Sequence, residues 1–527
     1  MTTTAPANLR PALAAHLDQR VAAFTEGFRQ NLALIGPEGG GKTFQLERLQ
    51  RAAAPKVACI YWPLFREGRG SLLRRLHRAV LEAGLGQRVT TQALDDLLER
   101  AEPSLPRTAA VLRSAQDLIA RRLYAEAFVR SLEGIPVLTQ ELGRPTLFIV
   151  DEFLFLEQLG LTHAYHELGK RVMTWPGTLF VLASSSPYRA RLILRERLQL
   201  LFGQFELLVV DTVDASTVAP WMHRELRGLR GSRGISPFLV RWLGGSPRYL
   251  TVFLKRLNEL GTLRGRPRSI DALVQEAAWD LLGNADGPLA QWCCARIDEV
   301  ARARQGSRAV DCLLQIARGA RTTTDLGERI GRGGLTAAME TLLEYDLVQR
   351  RGACWVIADP IQRCWITTIL APQRAGLVRN PSALRADFER YLTDLWDDWM
   401  RTSQLSFPEQ VVRLLGRFAD DTVALDAKTG RLPRFDRITT QQADDGSAYL
   451  LAESEGRRWC CAVQDAPVTE QAVSRFEAFC RDQQPRPARK VLITRGELDE
   501  AVRVLAKAKS MWVWEPEELQ VLSELYA

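Results

Sequence analysis

Histidine and lysine are scarce in this chain of 527 residues, which has five of the first and eight of the second. Nine cysteines are scattered along it (Cys59, Cys293, Cys294, Cys312, Cys354, Cys364, Cys460, Cys461, Cys480), none in a C-x-x-C pair. That pattern excludes a zinc site and a disulfide framework, and it suits a reducing compartment. No apolar run approaches the roughly 18 residues of a membrane span. The first twenty residues also lack the basic stretch and apolar core of a signal peptide. A cytoplasmic protein with no membrane segment is the expectation.

What is present is an ordinary globular composition, 46% hydrophobic and 25% charged. The length exceeds what one hydrophobic core organises, so about two to four domains are expected. The net charge is +8 and the pI near 9.1. From Leu384 onward there are 20 basic and 25 acidic residues, so the basic excess lies entirely before that point. Nearly all of it is arginine. A coding bias towards arginine accounts for this as well as a nucleic-acid surface does.

The first chemical signal is Asn31–Ile35 (NLALI), an apolar strand that runs into Gly36, Pro37, Glu38, Gly39, Gly40, Gly41, Lys42, Thr43 and Phe44. Strand, G-x-x-x-x-G-K-T and amphipathic helix are the context a phosphate-binding loop requires. Glycines let successive backbone N–H groups turn inward on a polyphosphate, and the following helix adds its positive end. Lys42 is placed to reach the β- and γ-phosphates of ATP, and the Thr43 hydroxyl to ligate Mg2+. A second apolar strand, Thr146–Val150, ends in Asp151 and Glu152. Asp151 fits the residue that holds Mg2+, and Glu152 the base that polarises the attacking water.

Further strands at 57–62, 178–183 and 205–210 alternate with helical segments, so the expected class is α/β, a doubly wound parallel sheet. Ser184 or Ser185, after the fourth strand, is a candidate sensor of the γ-phosphate. A helical, arginine-dotted insert over 66–142 separates the second and third strands. Residues 308–357 read as three helices and a two-stranded wing with Arg350 and Arg351 at its tip. Its third helix carries Glu340 and Glu344 and no basic residue, so protein packing and duplex DNA binding both remain open for it.

Together the loop, the acidic strand end, the serines and the Gly244–Leu250 turn (GGSPRYL) resemble the archaeal-ATPase type of STAND ATPase, a branch of the AAA+ superfamily. Residues 358–365 (ADPIQRCW) are similar to a stretch that follows the winged helix in that group. The resemblance implies an AAA+/STAND P-loop domain over 1–215, a helical lid over 216–300, and a winged helix over 301–370. A linker at 371–383 and a last domain at 384–527 follow. In the lid turn, Pro247 would fix the backbone and Arg248 would face phosphate. An arginine finger given to a neighbouring subunit would be Arg195 or Arg197, from a basic helix that also holds Arg189 and Arg191, and this implies a homo-oligomer.

The last domain resembles the restriction-endonuclease-like α/β fold, with helices at 388–399 and 407–418. Strands are expected around 434–440, 448–453, 459–464, 490–494 and 512–514. Asp436 fits the first catalytic position and Glu409 a helix acid. The position of the second acid holds Gln464, followed by Asp465 and an alanine where a lysine belongs. The resemblance therefore implies a domain that has lost cleavage and presents a surface to a protein partner.

Overall fold

A computed structural model describes residues 8–526 except 87–92, 162, 197–203, 214, 227–231, 264–268, 377–379, 426–427, 443–446 and 466. It forms two compact units, Met1–Leu273 with Glu344–Asp346, and Val274–Leu343 with Leu347–Ala527. The boundary at Leu273 falls inside the segment expected to be a single lid.

The first unit is built on five parallel strands: β1 (Asn31–Ile35), β2 (Ala58–Pro63), β3 (Thr146–Asp151), β4 (Thr178–Ser184) and β5 (Phe205–Val209). Their order is β2-β3-β4-β1-β5. Successive side chains on these strands alternate between two buried faces, which is why they read as continuous apolar runs. Leu32, Leu34, Leu147 and Ile149 meet Leu17 and Val21 of the helix Pro11–Thr25 and Leu46 and Leu49 of Lys42–Ala53. Phe148, Val150 and Phe180 point the other way, towards Leu72 and Leu76. Because β4 lies between β1 and β3, the carboxyl ends of β1 and β3 flank a crevice of the kind that binds ligands in open α/β sheets. This is the five-stranded parallel sheet of a P-loop α/β domain.

The insert consists of the helices Arg69–Leu85, Leu94–Ala101, Pro106–Ala120 and Tyr124–Leu142. It leaves from the end of β2 and returns at the start of β3. After β5 come helices Ala215–Glu225, Ser232–Trp242 and Pro247–Leu263.

The second unit contains the helices Gly306–Ala317, Thr323–Ile330 and Leu335–Glu344 (all but its last residue), then an antiparallel hairpin of β6 (Val348–Arg351) and β7 (Cys354–Ile357). These bounds agree with the sequence reading to within a few residues. Thr322 and Asp325 form a capping box that starts the middle helix.

Two features differ from expectation. Of the segment expected to be a linker, Ala371–Arg374 are helical, residues 377–379 lie outside the described residues, and the last three residues open one long helix, Pro381–Gln404, capped by Asn380, whose Oδ1 accepts the Ser382 N–H at 2.9 Å. Leu384, Phe388 and Leu392, spaced one turn apart, give it a buried stripe. Phe388 packs edge-on against Trp279 (5.6 Å between centroids), with the Arg385 guanidinium over the same indole. A helix so attached continues the core. The second difference is a hairpin of β8 (Asp421–Leu425) and β9 (Lys428–Leu432) that the sequence reading passed over.

The hairpin explains where the β6–β7 turn goes. Ala353 donates its N–H to Thr422 O at 2.9 Å, and Arg321 pairs with Asp421 at 3.1 Å. Cys354 belongs to the same buried cluster as Val423, Leu425, Leu450 and Trp514. The remaining strands, β10 (Arg437–Gln442), β11 (Ala448–Ser454), β12 (Arg457–Gln464), β13 (Arg489–Thr494) and β14 (Trp512–Trp514), form one sheet in that order. Its first three strands are antiparallel and its last two join in parallel.

Gly352, at φ +70°, holds the hairpin turn against β8, where an added Cβ would lie 2.6 Å from Ala424 N. Gly352→Val should therefore destabilise the second unit by about 2–4 kcal/mol. Denaturant unfolding followed by tryptophan fluorescence checks this, and an unchanged midpoint would show that the turn does not support the sheet.

Candidate nucleotide site

The glycine-rich loop joins β1 to the helix Lys42–Ala53, and its shape depends on absent side chains. A Cβ on Gly36 would overlap Val210 O, and one on Gly39 (φ +76°) would lie 2.8 Å from the Arg248 Cβ. Gly41, at φ +91°, precedes the first helical residue. The loop closes on itself where Gly40 N–H donates to Pro37 O at 3.2 Å.

Lys42 is only 3% exposed. Its ammonium donates to Gly36 O and Pro37 O, both at 2.9 Å. Burial holds its pKa below the ordinary lysine value, while Glu152, Asp151 and Glu38 pull the other way. Thr43 is exposed, and its hydroxyl donates to Asp151 Oδ2 at 2.9 Å, so the loop's threonine and the end of β3 are joined directly. Asp151 is 4% exposed, yet its other oxygen, Oδ1, is buried without a hydrogen-bond partner. A buried carboxylate oxygen without a donor, beside an exposed hydroxyl, is a hard-oxygen set that fits Mg2+. Phe44, half-buried, follows on the helix.

Glu152 sits in a left-handed conformation, φ 58°, which turns the chain sharply after β3. Its carboxylate accepts the Ser185 N–H at 2.9 Å and the Ser185 hydroxyl. Burial raises its pKa above the usual carboxylate range, and the two Ser185 hydrogen bonds, then Lys42, oppose that rise. Ser184 is fully buried, and its Oγ accepts the Ser186 N–H at 3.1 Å. Of the two serines considered as sensors, Ser185 is the one that touches the acid.

The Gly244–Leu250 turn meets the loop. Val213 N–H donates to Gly245 O at 3.0 Å, and Gly245 is left-handed at φ 61°. Pro247 starts the helix Pro247–Leu263. Arg248 donates its own N–H to Gly39 O at 3.3 Å, and its guanidinium pairs with Glu38.

The remaining candidates lie elsewhere. Arg195 and Arg191 are exposed on the helix Pro187–Glu196, Arg189 pairs with Glu157, and Arg197 lies outside the described residues. In the second unit, Asp436 precedes β10 and donates its N–H to Glu453 O at 2.7 Å. Gln464 ends β12, where its neighbour Val463 pairs with Ala448 at the opposite end of β11 from Glu453. Five residues of strand, about 17 Å, separate the two ends, so the register does not bring Asp436 and Gln464 into one site. The sequence pattern matched strand and residue type but carried no register. Glu409 serves as a helix cap, bonded to the Ser406 N–H at 2.7 Å, and Asp465 lies 3.5 Å from Arg495.

Two contributors were not legible in the sequence. Arg10 donates Nε to Gly40 O at 3.0 Å and a second N–H to Asp211 O, so it ties the loop to the segment after β5. Tyr61 on β2 donates its hydroxyl to Asp151 Oδ2 at 2.8 Å. Neither belongs to a local motif, and each reaches its partner from a segment distant in sequence.

The raised pKa of Glu152 has a signed consequence. Its protonated form costs little to bury, and stability is lost as pH rises through the elevated value. Glu152→Gln should therefore gain thermal stability relative to the parent as pH moves from the ordinary carboxylate range to neutrality. Parallel melting curves across that window check this, and a difference independent of pH would contradict it.

No family model matches the chain, and no curated protein matches it. Among solved structures it is similar to a Walker-type ATPase of Pyrococcus abyssi, at 17% identity over 68% of this chain and 95% of that one, with a TM-score of 0.48. It is also similar to the Aeropyrum pernix ORC2 protein in ADPNP–ADP complexes, at 16% identity over 71% and 98%, TM-score 0.43. A third is the Aeropyrum pernix ORC1 protein in complex with DNA, at 17% identity over 71% and 95%, TM-score 0.37. These likenesses are low, and the fold class of this chain rests on its own geometry: a five-stranded parallel sheet with β4 between β1 and β3, carrying a phosphate-binding loop at the end of β1.

Proposed function

We propose that this chain is an ATP-binding and ATP-hydrolysing switch of the STAND/AAA+ type, which couples nucleotide state to assembly or partner binding. The observation that carries the reading is the convergence of Lys42, Thr43, Asp151 and Glu152 just after β1 and β3: Thr43 bonds Asp151 directly, and Lys42 lies within the electrostatic field of both acids. The loop N–H groups and the helix N-terminus would receive the phosphates. Lys42 exchanges two carbonyl partners for the β- and γ-phosphate oxygens. Thr43 and Asp151 would hold Mg2+, which neutralises phosphate charge as the terminal group is transferred. Glu152 takes the proton of the attacking water, for which it must release Ser185. The oxygen of that water bonds to the γ-phosphorus as the bridging bond to ADP breaks.

Arg248 is the natural reporter of this chemistry. A γ-phosphate arriving beside it competes with Glu38 for the same guanidinium, so nucleotide state is felt at the first turn of the lid helix. In this reading the segment 308–357 is a winged helix that packs against protein. The last sheet is a restriction-endonuclease-like fold without cleavage activity, presenting a partner surface. Turnover that depends on Arg195 or Arg197 of a neighbouring copy would require a homo-oligomer.

A second reading, a DNA-binding AAA+ ATPase of the initiator-like or transposition-regulator-like kind that grips duplex DNA through its basic ATPase and winged-helix domains, is favoured in the first of these by one cluster. Arg69, Arg74, Arg121 and Arg122 are all exposed at one end of the insert. There Arg69 lies over the Tyr124 ring and Gly70 abuts Ile119. Engagement of the β6–β7 turn by β8 argues against DNA binding through that wing.

ATP turnover by the purified chain, with and without duplex DNA and with Lys42→Ala as the blank, tests both. Turnover above the blank that ignores DNA is the expected result, together with about 2.7 kcal/mol of stabilisation at ATP a hundredfold above its Kd. Stimulation by DNA that fades with salt would favour the second reading. No nucleotide-dependent stabilisation would overturn both.

A further inference from the structure

We propose that Tyr61 is a positioning residue for the Mg2+ of this site. It fixes the Asp151 carboxylate so that Oδ1 faces the metal. The inference rests on the nucleotide-switch reading above and names a residue which that reading does not use.

The argument begins with register. β2 and β3 run parallel, with Tyr61 opposite Ile149 and Pro63 opposite Asp151. Side chains two apart on a strand share a face, so Tyr61, Ile149 and Asp151 lie on the same side of the sheet. From Ile149 to Asp151 the chain advances about 6.6 Å, a span a phenol crosses from its own backbone. A phenylalanine there would reach the carboxylate with no donor, and a serine would stop short.

The consequence for Asp151 is a division of labour between its oxygens. Oδ2 receives both Thr43 Oγ1, at 2.9 Å, and Tyr61 OH, at 2.8 Å. Oδ1 receives nothing and is buried. With only the threonine bond, the carboxylate is free to rotate about its Cβ–Cγ axis and exchange its oxygens. Two donors from different elements, one on the loop helix and one on β2, fix that rotation. If Thr43 turned a lone pair to Mg2+, Tyr61 would still hold Oδ2, leaving Oδ1 free for the metal without reorganisation of the carboxylate. The neighbouring acid is held by a separate device, Ser185, so the two carboxylates at the end of β3 are oriented independently.

The test is binding of a hydrolysis-resistant fluorescent ATP analogue to the full chain, in EDTA and across a Mg2+ titration, for the parent and Tyr61→Phe. The expected result is unchanged affinity in EDTA and about a tenfold rise in the Mg2+ concentration giving half-maximal tightening. Tyr61→Leu, which also lacks the donor, should show the same shift. A phenol that only supports packing would lower the melting temperature and weaken binding equally with and without Mg2+, and that outcome overturns the proposal. So does an unchanged or a tighter Mg2+ response. If the parent itself binds no nucleotide, it is the switch reading that fails. If the parent responds to Mg2+ and Tyr61→Phe responds identically, only the role of Tyr61 fails.

Discussion

The buried ammonium of Lys42 is the constraint around which the first unit is organised. A cation removed from water needs close oxygen partners, and the loop supplies two of its own carbonyls at 2.9 Å. Those carbonyls point inward only because the loop turns tightly, which in turn needs a bare Gly36 against Val210 and left-handed glycines at 39 and 41. The acids at the end of β3 supply the opposing field. Sheet order, loop shape and the position of Asp151 and Glu152 are thus parts of one electrostatic arrangement. Its parts come from segments more than a hundred residues apart in sequence.

Much of this arrangement was legible in the sequence, for a physical reason. Loop, strand and acid are local patterns, and each leaves a short record: glycines where side chains collide, an apolar run where a strand is buried on both faces, carboxylates at its end. The helices and hairpin of 306–357 were legible in the same way, from apolar periodicity. Contacts that depend on register or strand order left no such record. Tyr61 and the choice of Ser185 over Ser184 as the partner of Glu152 follow from which strands are neighbours, and Arg10 from the packing of the first helix beside the loop. Asp436 and Gln464 illustrate the reverse, because both matched a motif by type while the pairing of β10, β11 and β12 keeps them at opposite ends. The long helix Pro381–Gln404 was read partly as a linker because its early residues, NPSA, have a turn's composition, whereas its apolar stripe begins only at Leu384.

Arg248 and Gly39 meet backbone to backbone, with one N–H donated across at 3.3 Å and no room for a side chain between them. A loop and a lid joined through long side chains absorb small movements in rotamer changes. Here the joint is short, so a displacement of the loop is passed to the first turn of the helix Pro247–Leu263 with little slack.

The β6–β7 turn has a practical bearing on any attempt to divide the chain. Cys354 lies in the core of the last sheet, Arg363 donates to Glu524 O, and the Tyr526 hydroxyl meets Asp421. A cut placed in the proline- and glycine-containing stretch before Leu384 would look clean on paper, yet it would strip Cys354 of its neighbours and leave apolar surface bare on both fragments. Fragments made there would be expected to aggregate or to recombine, and a shorter protein that lost its activity by such a cut would report broken packing rather than a missing module.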